Sequence, residues 1–134
     1  MLPAEVVTVD VHASGISAAL GRRGEDVAER VLTGAGMVIL DRNWRCELGE
    51  LDLVARDGDT VVFCEVKTRS GERLGHPFEA VTARKTARLR RLAARWLTEH
   101  PVRPGAIRLD VVGILAPPGG SSADVRIEHL RGVG

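Results

Sequence analysis

Residues 50–67 read Glu50-Leu51-Asp52-Leu53-Val54-Ala55-Arg56-Asp57-Gly58-Asp59-Thr60-Val61-Val62-Phe63-Cys64-Glu65-Val66-Lys67. Two runs rich in strand formers flank Asp57-Gly58-Asp59, a turn signal. The first run alternates, with Leu51, Leu53 and Ala55 on one side and Glu50, Asp52, Val54 and Arg56 on the other. So short a connection requires an antiparallel hairpin. A Gly58-Asp59 turn sets Asp52 directly opposite Glu65, with Cβ atoms about 5 Å apart. An Asp57-Gly58 turn sets Glu50 opposite Glu65 and Asp52 on the diagonal. In both registers alternation puts Asp52, Glu65 and Lys67 on one face, beside Val54 and Phe63.

Outward from the hairpin, residues 1–16 show no clear period and are expected to be a loose tail. Residues 17–134 are expected to form a single domain. Between Ser17 and Thr33, Leu20, Val27, Ala28, Val31 and Leu32 recur at helical spacing, and Gly34 and Gly36 bracket the helix end. A strand from Met37 runs on toward Trp44. Residues 69–77 read as a loop, and 82–100 as a helix closed by Pro101. Strands follow at 107–115 and 124–130, separated by a loop at 117–122. The expected order is α-β-β-β-α-β-β, an α/β fold whose central mixed sheet is flanked by helices.

The bulk properties exclude several classes. A chain of 134 residues fits one domain. It buries enough surface to need neither disulfides nor a structural metal. Cys46 and Cys64 make no Cys-x-x-Cys pattern, and His12, His76, His100 and His129 are scattered, so no zinc or histidine metal site is expected. Residues 1–10 carry no basic residue before an apolar run, so no signal peptide is expected. No apolar stretch approaches a membrane span. The expected setting is the cytoplasm. The net charge is +1, so a nucleic-acid partner must meet a local basic patch. With two Trp, two Phe and no Tyr, single-strand binding on stacked aromatics is disfavoured.

Two facing carboxylates repel by about 3 kcal/mol at an effective dielectric of 20. Lys67 is one candidate to offset this, and a divalent cation is the other. Hard oxygen ligands at this spacing suit Mg²⁺ or Mn²⁺. A metal with an adjacent ammonium suits phosphodiester hydrolysis. The competing interpretation is a solvated strand face with an ordinary Glu65–Lys67 pair. Of the 19 basic residues, only Lys67 and Lys85 are Lys. Lys is a compact charge able to shift its pKa, whereas Arg is a broad fork that stays protonated.

Four blocks carry a resemblance: Gly21-Arg22-Arg23-Gly24-Glu25, Ile39-Leu40-Asp41-Arg42-Asn43-Trp44-Arg45, Gly49-Glu50-Leu51-Asp52-Leu53-Val54-Ala55 and Val62-Phe63-Cys64-Glu65-Val66-Lys67-Thr68-Arg69. Together they resemble the YraN-like family of uncharacterised proteins, from about residue 17 to 115. That family resembles the PD-(D/E)xK nuclease superfamily and, within it, the archaeal Holliday junction resolvases. The resemblance implies a restriction-endonuclease-like core. It matches the superfamily's Asp to Asp52, its acid-x-Lys to Glu65-Val66-Lys67 and its helical Glu to Glu25. Leu51 stands where the superfamily's Pro precedes the Asp. The implied chemistry is Mg²⁺- or Mn²⁺-dependent cleavage of DNA, with branched DNA favoured by analogy. Glu25, Asp52 and Glu65 would hold the metal, with the Val66 carbonyl as a further ligand. Lys67 would orient water or stabilise the transition state. Read on its own, Glu25 lies at the rim of its helix's apolar stripe, where a Glu is commonly just solvated. Glu50 is a spare carboxylate, either a supporting group or a base.

On the second helix, Leu89, Leu92, Ala93, Trp96 and Leu97 form one apolar stripe. Lys85 falls about 50° from its centre, toward the sheet. Arg84, Arg88, Arg91 and Arg95 cluster on the opposite face, with no acid between Val81 and Thr98. They are expected to contact nucleic-acid phosphates together with Lys85. Acids elsewhere in the fold, or a partner protein's acidic surface, are the alternatives. Asp110, in an apolar strand, either pairs with an Arg or lies near the site. A junction-cutting enzyme would need a homodimer, since two symmetric strands must be cut. The competing function is a nucleic-acid-binding module that keeps the nuclease fold without turnover, and an adaptor working through the Arg helix is a third.

Overall fold

Gly58 adopts φ +62° and reverses the chain in two residues, Gly58 and Asp59. A positive φ at the first turn position carries little steric cost in Gly. In this computed structural model, which describes residues 5–11, 16, 23–69, 82–115 and 125–134, the hairpin joins β3 (Gly49–Asp57) to β4 (Thr60–Arg69). Its register runs from Asp57↔Thr60 to Leu53↔Cys64, the alignment expected from a Gly58-Asp59 turn.

The other elements are β1 (Glu5–Val9), α1 (Gly24–Gly34), β2 (Val38–Cys46), α2 (Ala83–Glu99), β5 (Ala106–Leu115) and β6 (Arg126–Arg131). The strands form one sheet in the order β1-β6-β5-β4-β3-β2. Among the described residues only β4 and β5 pair in parallel. A parallel pair needs a crossover, and α2 lies within it. Alternate strand residues divide two cores. Leu53, Ala55, Val62, Cys64 and Val112 meet Val27, Ala28, Val31 and Leu32 of α1. Val54, Val61, Phe63, Leu109 and Val111 meet Leu89, Leu92, Ala93 and Trp96 of α2. The expected α/β fold, a mixed sheet flanked by helices, is therefore present.

Two expectations are corrected. Residues 5–9 are not a loose tail: they form β1, paired antiparallel with β6 from Glu5↔Arg131 to Val9↔Ile127. Val-Val-Thr-Val supplies strand propensity, but a run this short carries too little periodicity to declare itself. The alternation of β3 also breaks at Asp52. Leu53 and Ala55 pack toward α1, whereas Leu51 packs toward α2 with Val54. The break coincides with an irregularity on β2. Arg42 pairs with Leu53 and Trp44 with Leu51, which places Asn43 opposite Asp52. Asn43 has φ +53° and, among the described residues, is the one non-glycine with positive φ. Left-handed backbone there interrupts the pleat, so a face assignment from alternation does not carry through Asp52.

The first helix's expected start at 17–22 and the loops at 70–77 and 117–122 lie outside the described residues. Among the described residues, no helix is long and apolar enough to cross a membrane.

Candidate functional site

At Asp52 the two hairpin strands depart from simple pairing. The Val66 N–H donates to Asp52 Oδ2 at 2.8 Å, so the carboxylate takes up a backbone donor of β4. Burial pushes the Asp52 carboxyl above its ordinary value. The Val66 N–H works against the shift, and the charges of Glu65, Glu50 and Glu25 add to it. These three acids from α1, β3 and β4 are the charges the structure brings electrostatically onto Asp52.

Glu65 is held by two cations at one oxygen. Lys67 Nζ stands 3.2 Å and Arg88 Nη2 3.3 Å from its Oε1. Alternation along β4 places Glu65 and Lys67 on the α2 face with Phe63, as expected, and both line a small cleft with Lys85, Thr86 and Leu89. Glu50 pairs with Arg45 at 2.8 Å. Glu25 is in the first turn of α1, where a carboxylate is favoured by the helix dipole. Its Oε1 is nonetheless buried without a hydrogen-bond partner among the described residues. Arg23 Nε approaches it to 3.3 Å but is not aligned to donate. The donor chemistry, three carboxylates with one oxygen orphaned, suits a hard divalent cation. Among the described residues, however, no three His, Cys, Asp or Glu side chains stand arranged to hold one.

The Arg face of α2 divides in two. Arg95 is engaged by Glu47 and Glu99, each at 2.6 Å. Arg88 is engaged by Glu65. The acids missing between Val81 and Thr98 are thus supplied by the β2–β3 turn, the helix end and β4, and Arg88 and Arg95 are half-buried rather than on a free outer face. Arg84 and Arg91 are exposed and make no ion pair with a described residue. With Thr82, Lys85 and Arg88 they line an open groove of about 390 Å³. The groove adjoins the Glu65–Lys67 cleft, because Lys85 lines both. The helix begins where expected: Thr82 Oγ1 accepts from the Lys85 N–H at 3.2 Å.

Asp110 is resolved as a structural group. It is fully buried, with its oxygens taken by Arg108 at 2.9 and 3.1 Å, His129 Nε2 at 2.7 Å and the Gly132 N–H at 3.1 Å. Burial pushes its carboxyl up, but the bonds from His129, Arg108 and Gly132 outweigh that and hold it below its ordinary value. Sequence reasoning missed two partners: Arg88 for Glu65, and Asn43 for the backbone beside Asp52. No sequence signal pointed to the first, although Gly49 lies beside Arg88. Its φ is +136°, and a Cβ there would lie 3.2 Å from Arg88 Nη1.

Residues 24–114 match the profile described as uncharacterised protein family UPF0102. A UPF0102 protein of Frankia alni is 64% identical over 114 residues, 85% of this chain and 92% of the relative. One from a Nocardioides strain is 57% identical over 122 residues, 91% of this chain and 96% of the relative. One from Streptomyces coelicolor is 54% identical over 126 residues, 92% of each. The profile spans α1, the carboxylate hairpin, α2 and β5, every element that positions the site, and the chain belongs to the uncharacterised protein family UPF0102.

Proposed function

We propose that this protein is a metal-dependent endonuclease of the restriction-endonuclease-like fold, acting on phosphodiester bonds of DNA, with branched DNA the favoured substrate. The observation that carries it is one juxtaposition. Asp52, half-buried at a break between paired strands, is beside the acid-x-Lys of β4, and the cleft at Glu65 adjoins a groove lined by Arg84 and Arg91, which have no acid partner among the described residues. Glu25, Asp52 and Glu65 would hold Mg²⁺ or Mn²⁺. Bound there, the cation supplies charge neutralisation at the phosphate and lowers the pKa of a water. Asp52 is partly desolvated, and the burial that raises its carboxyl disfavours the bare anion, which a bound cation would neutralise. Lys67, 3.2 Å from Glu65, is placed to orient water or meet developing negative charge on the phosphate. Lys85, Arg84 and Arg91 would hold the flanking backbone. If the substrate is a junction with two symmetric strands, a homodimer follows.

A second reading is favoured by a specific observation: among the described residues no three acids stand ready to hold a metal. On that reading the chain binds nucleic acid without cutting it. Incubation with Mn²⁺ and synthetic four-way junctions, duplexes and single strands separates the two. The nuclease reading predicts cleavage that Lys67→Ala abolishes while Mn²⁺ binding persists. Tight DNA binding with no cleavage of any of the three supports the binding module.

A further inference from the structure

Resting on the metal-dependent reading above, we propose that Arg88 is a displaceable counter-ion. It neutralises Glu65 while the cation site is empty, and is released to a DNA phosphate in the neighbouring groove when a cation takes that carboxylate. Glu65 Oε1 receives two cations at nearly equal distance, but they are held differently. Lys67 stands two residues along the same strand with 23% of its side chain exposed, so it stays with the carboxylate. Arg88 reaches in from α2 with 39% exposed. It packs closely against β3 at Gly49, where a Cβ would lie 3.2 Å from Nη1. On its other side Arg88 lines the groove with Arg84 and Arg91, neither of which has an acid partner among the described residues. Arg88 therefore has two seats within reach, one anionic now and one that becomes anionic when DNA arrives.

The energetics favour exchange. The Arg88 end of the pair is 39% exposed and therefore partly screened by solvent, which lets a divalent cation compete for the carboxylate. The freed guanidinium is well suited to phosphate, which it can bind as a two-pronged fork. Because cation and Arg88 compete for Glu65 while Arg88 and DNA attract, cation and DNA bind with positive coupling, and the coupling is reciprocal.

The test measures Mn²⁺ affinity by calorimetry, and the affinity for a synthetic four-way DNA junction by fluorescence anisotropy with and without Ca²⁺. Arg88→Gln should tighten Mn²⁺ binding by about 2- to 5-fold, the range expected for losing such an ion pair. It should also weaken junction binding and remove the gain in junction affinity that Ca²⁺ gives the unmodified protein. Arg84→Gln, in the same groove without an acid partner among the described residues, should weaken junction binding and leave Mn²⁺ affinity unchanged. Mn²⁺ binding that is unchanged or weaker in Arg88→Gln, or tightened equally in Arg84→Gln, overturns the exchange while leaving the metal site in place. Absence of Mn²⁺ binding in the unmodified protein overturns the exchange and the metal-dependent reading together.

Discussion

Asp52 is in tension with its surroundings: it is half-buried, it accepts one backbone N–H, and it feels three acids. Its folded pKa lies above the unfolded value near 3.8, so the folded state holds its proton more tightly. The sign follows by linkage. Between the unfolded and the raised folded value, the unfolded state has released the proton and the folded state has not, so stability falls as pH rises through that window. Asp52→Asn removes this cost and keeps an oxygen for the Val66 N–H. The variant should be more stable than the unmodified protein at neutral pH without metal. Its urea midpoint should lack the decline that Asp52 contributes as pH rises from about 4. An equal decline in both proteins would show that Asp52 is not the group under strain. The sequence displayed the chemistry of this residue, an acid facing an acid-x-Lys, but not its geometry. Alternation assumes an unbroken pleat, and the break lies where β3 meets the left-handed Asn43 of β2 and where its ladder with β4 ends, which is a tertiary property.

At the scale of elements, α2 was legible from its stripe: Leu92, Ala93 and Trp96 are almost wholly buried, where the 3.6-residue period put them. The period located the Arg side chains around the helix but could not see which acids the sheet and turn would offer them. Arg95 is occupied twice over, by Glu47 and Glu99, whereas Arg84 and Arg91 line the open groove. The four therefore cease to be equivalent. Replacing Arg84 and Arg91 together by Gln should flatten the slope of log DNA affinity against log salt by about 2, one unit for each phosphate no longer neutralised. Arg95→Gln should leave the slope unchanged, since a guanidinium already shared by two carboxylates has little left for phosphate. Equal flattening by Arg95→Gln would return α2 to a uniform basic face. β1 was illegible for a different reason: its five residues gain their place only by pairing with β6, far along the chain.

Across the whole molecule, one polar brace ties strands that lie apart in the sheet. Asp57 at the end of β3 receives Arg108 of β5 and Arg131 of β6, and Arg108 continues to Asp110 and on to His129. Asp110→Asn would leave buried cationic and polar partners without their anion, and should cost about 3–5 kcal/mol in urea unfolding. Because the Asp110 carboxyl is held below its ordinary value, its contribution is present above that value and is lost as pH falls through the lower folded one. The unmodified protein should therefore lose stability on acidification more steeply than Asp110→Asn. The brace accounts for the acid that sequence alone left unassigned, and sets Asp110 apart from Glu25, Asp52 and Glu65, the acids proposed to hold metal. The measurement that bears most directly on that site is anomalous diffraction from crystals soaked in Mn²⁺. The account predicts one peak among Asp52, Glu65 and Glu25, with Arg88 withdrawn from Glu65. No peak there, with Lys67 and Arg88 still seated on Glu65, would contradict it.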